Sequence, residues 1–198
     1  MEPPDADLVR RARGGERAAF DALVVRHRPS LLRAATLLIG DADEAESLAQ
    51  EALSRAYARL ADFERGRSFG PWLHGITLNL CRHHVRDRAR RARPVAPETL
   101  GAAADPVGRR QGVLSGILRR EWNERALAAI QQLPEPYREA FVLHYIEDMG
   151  YEEMSKITGV AGGTLRVRAR RARLLLRENL GSVVDTWIRR GPDDGGRA

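Results

Sequence analysis

The chain has 198 residues, enough for one ordinary domain or two small ones, and 33 Lys plus Arg against 27 Asp plus Glu leave a formal charge of +6. All the cations except Lys156 are arginine, and many fall into two groups, Arg82, Arg86, Arg88, Arg90, Arg91 and Arg93, then Arg166, Arg168, Arg170, Arg171, Arg173 and Arg177; the planar arginine fork suits phosphates and base edges. A single cysteine, Cys81, excludes an internal disulfide and a cysteine-rich zinc site, and no run approaches the ~18 apolar residues of a membrane span or the segments of a secretory signal, so a reducing cytoplasm is expected.

From Asp7 to Arg93 the apolar residues recur at helical spacing, with no alternating run of β-branched or aromatic residues. The spacing predicts a first helix over Asp7 to His27 with Leu8, Phe20, Leu23 and Val24 inward, an interruption at Pro29, and a short apolar helix from Leu31 to Ile39. Gly40-Asp41 reads as a turn. Asp43 and Glu46 form a capping signal for the next helix, whose inner stripe is Ala45, Leu48, Ala49, Ala52, Ala56 and Leu60. The opposite stripe, Glu46, Ser47, Gln50, Glu51, Ser54 and Arg55, fits solvation and partner binding equally well from spacing alone. A glycine-containing loop from Asp62 ends at Pro71, a favourable start for a helix from Trp72 to about Arg88.

Residues 94–112 hold Pro94, Pro97, Pro106 and three alanines in a row with little apolar periodicity, the composition of a flexible linker. Helical pattern resumes near Val113 and runs through Trp122, Leu127 and Ile130 to Leu133-Pro134. Three helices follow, Pro136 to about Asp148, Tyr151 to Thr158, and Gly163 to about Leu180; short helix, glycine turn and longer basic helix is the pattern of a helix-turn-helix. At about 100° per residue the last helix places Leu165, Ala169, Ala172 and Leu176 on one side and Arg166, Arg170, Arg173 and Arg177 on the other. Val183, Val184, Trp187 and Ile188 keep helical spacing and favour a small added helix packed on this unit, and residues 191–198 should be disordered. The expected fold is all-α: two small helical domains, 1–93 and 113–190, joined by the linker, the second containing the helix-turn-helix.

Several blocks, in this order and spacing, resemble the extracytoplasmic-function sigma factors of bacterial RNA polymerase: Gly15 to Phe20, Ala45 to Ala52, Phe69 to Leu73 with Ile76 and Asn79, then Leu133-Pro134 with Arg138 to Phe141, Gly150 to Met154, and Gly163 to Arg166 with Arg171 to Arg173. The resemblance implies that Glu46, Gln50, Glu51 and Arg55 dock on core RNA polymerase. It implies that Trp72, Asn79, Arg82, His83 and Arg86 read and hold the minus-ten promoter element, with one base flipped from the stack at Asn79, and that His144, Arg166, Val167, Arg170, Arg171 and Arg173 read the minus-thirty-five element. It makes an anti-sigma factor a plausible further partner. Ser47 stands where the family usually has aspartate, and Ser155 where it usually has alanine.

Two other readings compete. His74, Cys81, His83 and His84 resemble a metal cluster only superficially, because His83 and His84 point about 100° apart on a helix and the set lacks paired zinc-ligand spacing. No glycine-rich phosphate loop and no nucleophile elbow appears, so neither an enzyme nor a metal or other cofactor is expected. A stand-alone helix-turn-helix regulator would share the second domain but leave Trp72, Asn79 and the Glu46–Arg55 stripe without a role.

Overall fold

A computed structural model describes residues 2–64, 67–91, 124–181 and 184. The described residues are helical with no strand. The linker expected over 94–112 and the tail expected over 191–198 lie outside them, as does the start of the helix expected from Val113.

The first helical unit opens differently from the periodicity. The helix expected from Asp7 to His27 is broken into α1 (Asp5–Arg13) and α2 (Arg17–Ile39), because Gly14-Gly15 intervenes and Gly15 adopts φ +92°, a conformation side-chain-bearing residues rarely take. Arg11 bridges the break to Glu16, Nε to Oε2 at 2.8 Å. Pro29, expected to end a helix, lies inside α2. The proline leaves the carbonyl four residues earlier without its N–H donor; that residue is Val25, 76% exposed, so water can donate to the carbonyl instead.

α3 (Ala42–Ala58) is capped by Asp41 rather than by the Asp43 and Glu46 pair: the Asp41 carboxylate accepts from the backbone N–H of Asp43 and of Glu44, both at 3.0 Å. Its inner stripe is as predicted, with Ala45, Leu48, Ala49, Ala52 and Ala56 buried against α2 and α4 (Phe69–Arg91). α4 begins two residues before Pro71, which therefore sits in the first turn, where its missing N–H has no helical partner to lose.

The second unit contains α5 (Glu124–Gln132), α6 (Glu135–Phe141) continued by a π-helical turn (Val142–Ile146), α7 (Tyr151–Thr158) and α8 (Gly162–Leu180). α7 ends on Gly159 at φ +71°, and α8 buries Leu165, Ala169, Ala172 and Leu176, the four positions its periodicity assigned inward. Of the tail, Val184 is described; it is helical and fully buried, in keeping with packing rather than an exposed strip.

The two units are packed against each other. Gln131 of α5 donates from Nε2 to the Leu37 carbonyl at 2.6 Å, and Arg138 of α6 donates from Nη1 to the Leu38 carbonyl at 2.7 Å. A cation thus meets the carbonyl end of α2, where the helix dipole favours it. Gly40 closes α2 at φ +83°, and a Cβ there would come within 2.9 Å of the Gln131 side chain.

Candidate nucleic-acid interface

The outer stripe of α3 keeps its exposure: Ser47, Gln50, Glu51, Ser54 and Arg55 face solvent, and Glu46 is half-buried beside Arg28, with which it pairs. Arg55 donates to Glu51 one turn back at 2.5 Å. That pair sits on an exposed surface and contributes little stability, so the stripe is a rigid, charged face whose residues are not needed for the core beneath.

α4 is positioned by an aromatic cluster. Phe63 and Phe69 meet at 5.8 Å between ring centroids, and Trp72 lies 4.9 Å from Phe63 and 5.6 Å from Phe69. Arg13 ties the preceding turn to α1, donating to the carbonyls of Phe63 and Ala61 at 3.1 and 2.8 Å. On this support Trp72 is half-buried, Asn79 is exposed, and both line a cleft of about 280 Å³ together with Gly75 and Ile76. His83 and Arg86 continue along the exposed side, Arg86 bonding through Nε to the Arg82 carbonyl at 3.2 Å. Arg82 is turned the other way. Its Nε and Nη2 donate to the two carboxylate oxygens of Glu139 in α6, both at 2.6 Å, and that hydrogen bond, more than the charge itself, raises the arginine pKa.

In the second unit Arg166, Val167, Arg170 and Arg171 are exposed on the amino-terminal half of α8, Val167 to 67%, while Arg173 is half-buried. Arg166 lies over the Tyr151 ring, 5.2 Å from its centroid. His144, expected among these base contacts, is instead 5% exposed: its ring stacks on Tyr151 at 4.3 Å and its Nδ1 bonds to the Met149 carbonyl at 2.9 Å. Enclosed in this way, the side chain packs the turn that carries Tyr151 and, through it, Arg166. Among the described residues no group of histidine, cysteine and carboxylate side chains is arranged to hold a metal, and no helix is long and apolar enough to cross a membrane.

Two family models match the chain, Sigma-70 region 2 over residues 23–91 and Sigma-70, region 4 over residues 123–176. The RNA polymerase sigma-H factor of Pseudomonas aeruginosa is 33% identical over 174 residues, covering 85% of this chain and 90% of the relative. The ECF RNA polymerase sigma factor EcfG of Rhodopseudomonas palustris is 35% identical over 170 residues, covering 86% and 88%. The chain belongs to the extracytoplasmic-function sigma factors. Its fold is likewise similar to the sigma factor RpoE solved in complex with the anti-sigma factor NepR from Bartonella quintana, at 29% identity and a TM-score of 0.64, covering 81% of this chain and 96% of that one.

A sigma factor directs RNA polymerase to promoters, and one matched region falls on each of the two helical units. What the sequence reading missed lies between them. The Glu147 side chain is 3% exposed and accepts from Ser30 Oγ at 2.6 Å and from Arg33 Nε at 3.0 Å; Ser30 Oγ in turn lies 2.8 Å from His74 Nε2. Burial, ahead of the opposing pull of Glu147, holds the His74 pKa below its ordinary value, so the ring is neutral and donates to Ser30 while Ser30 donates to Glu147. No spacing in the sequence marks Glu139 or Glu147, because each pairs with residues 57 to 117 positions away.

Proposed function

We propose that the unit spanning residues 1–93 docks on core RNA polymerase through Glu46, Gln50, Glu51 and Arg55 and opens the minus-ten element with α4, while the unit spanning 113–190 reads the minus-thirty-five element with α8. The observation that carries this reading is the exposed Asn79, held beside Trp72 on a helix that continues into His83 and Arg86. An amide offers both a donor and an acceptor to the edge of an extruded base, and the following cations suit the phosphates of a single strand. Arg82 joins them once released from Glu139.

On α8 the exposed amino-terminal half suits base edges, Arg166 and Arg170 through guanine acceptors and Val167 through a thymine methyl, with Arg171 on the flank. Arg173, deeper along the helix, suits a phosphate. Because related structures hold a sigma factor with an anti-sigma factor, an inhibitory protein partner in the cytoplasm fits the same reading. The chemistry of these faces is binding and base extrusion, without a catalytic step.

The test is transcription by core polymerase reconstituted with the chain, compared on duplex and pre-melted promoters. Asn79→Ala should impair initiation on duplex template more than recruitment of the holoenzyme, and pre-melting should restore part of the loss. No defect on either template removes Asn79 from base reading.

A further inference from the structure

The stretch that leads into α4 has a cavity behind it. Arg67, Ser68 and Pro71 line the cleft beside Asn79, and the same three residues line the larger cavity, of about 870 Å³, that separates this stretch from α1. One wall is therefore shared by both spaces, and it is not backed by the close packing that fixes most of a protein interior. Its ends are held instead. At the first end Arg13 of α1 donates from Nη2 to the Ala61 carbonyl at 2.8 Å and from Nη1 to the Phe63 carbonyl at 3.1 Å, a charged fork across two carbonyls. At the other end His27 of α2 meets Phe69 edge-on, 5.3 Å between ring centroids, and a Cβ on Gly70 would lie 3.3 Å from the His27 Cε1. Asp5 of α1 fixes that ring, accepting from His27 Nε2 at 2.7 Å while its other oxygen pairs with Arg26.

We propose that α1, through Arg13 and through the Asp5 and His27 pair, is a clamp that sets the width of the Asn79 cleft, which makes Arg13 and His27 positioning residues for minus-ten base selection. The proposal rests on the reading of α4 as the minus-ten helix. α1 lies ahead of residue 23, where the match to Sigma-70 region 2 begins, so its role is read from these contacts alone. Arg13 and His27 lie on the cavity side of the shared wall and Asn79 on the cleft side. Neither clamp residue meets the base; both act through the backbone at Ala61, Phe63 and Gly70. Phe63 and Phe69, beside the two tethers, also pack on Trp72 at 4.9 and 5.6 Å, which carries the position of both ends into the start of α4. A shift of a fraction of an ångström in this wall changes which base edge meets the Asn79 amide squarely, while the phosphate contacts open to His83 and Arg86 further along the helix are left as they were.

The test is binding of single-stranded minus-ten oligonucleotides, varied to each base in turn at every position, by holoenzyme assembled with the full-length chain. Arg13→Ala and His27→Ala should each reduce base discrimination at the position where Asn79→Ala reduces it, by roughly three- to tenfold, with affinity for core polymerase unchanged. Arg13→Lys keeps a cation that reaches one carbonyl at a time and should recover part of the loss; with His27→Ala it carries the comparison if Arg13→Ala folds poorly. Arg11→Ala separates the clamp from plain stability, since it removes the α1 bridge to Glu16 and leaves both tethers in place, so its base preference should not move. Unchanged preference in both clamp variants overturns the proposal, and so does a weakening that is uniform across all bases. A shift in Arg11→Ala as large as that in Arg13→Ala overturns it too, because α1 would then act only by holding its unit folded. Failure of the α4 reading looks different: Asn79→Ala would shift base preference at no position.

Discussion

At the scale of single residues, exposure separates the arginines that can read bases from those already engaged. Arg166 and Arg170 are exposed on the amino-terminal half of α8, the end a helix-turn-helix inserts deepest, whereas Arg173 is half-buried. Replacing Arg170 by Ala is expected to narrow the preference for the correct minus-thirty-five base at one position by about 1–3 kcal/mol. Replacing Arg173 should instead weaken all sequences alike and lower the salt slope by about one. Holoenzyme binding across promoter variants and salt concentrations distinguishes the two, and identical behaviour of both variants would remove the distinction drawn from exposure. Arg166 is the more particular case. Its guanidinium already rests over Tyr151, which stacks on His144, so the buried histidine packs the platform under this arginine.

At the scale of elements, the proposed docking stripe and the core stripe of α3 are the same helix seen from two sides. Reversing the charge at Glu51 disturbs an exposed pair with Arg55, so stability should move by about 0.5 kcal/mol or less while affinity for core polymerase falls; equal affinity, measured beside an unchanged melting curve, would take Glu51 out of the docking face. Asp41→Ala has the opposite profile. It leaves the stripe intact but removes the acceptor for two backbone N–H groups, and should cost about 1 kcal/mol of stability by denaturant titration. The contrast also shows what was legible from sequence. Stripes were: the buried positions of α3 and α8 follow from period alone, since each was fixed by neighbours three and four residues away. Breaks were less so. A Gly-Gly pair outweighed apolar continuity at residues 14 and 15, and a proline proved compatible with a helix where the lost carbonyl partner faces water. The cap moved two residues because Asp41 has both free amides within reach, a matter of local geometry that the Asp43 and Glu46 spacing does not carry.

At the scale of the whole molecule, the seam between the units joins residues that no local pattern relates, and it contains a buried histidine whose pKa is held below its ordinary value. His74 is 6% exposed and faces Ser30, Glu147 and Arg33, with His27, itself bonded to Asp5, contributing at longer range. Burial lowers its pKa most; Glu147 opposes this, and the charges of His27 and Arg33 reinforce it. The sign of the pH dependence follows. An opened or unfolded chain takes up a proton at this histidine near its ordinary value, about 6.5, while the closed chain resists it until the pH is lower still. Below that ordinary value the open and unfolded forms therefore bind more protons than the closed form, and acid favours them. The contribution of neutral His74 to the closed state is complete above about pH 6.5 and is lost progressively as the pH falls from there toward the depressed value of the folded chain. The expected outcome is a melting temperature that holds steady above about pH 6.5 and drops as the pH falls below it in the wild type. His74→Gln keeps an N–H donor for Ser30 but does not titrate in this range, so it should flatten that drop while preserving the fold. Melting curves of both proteins, collected across the same buffers at fixed ionic strength, decide the matter: a slope that persists undiminished in His74→Gln assigns the acid sensitivity elsewhere and removes His74 from the groups that hold the two units together.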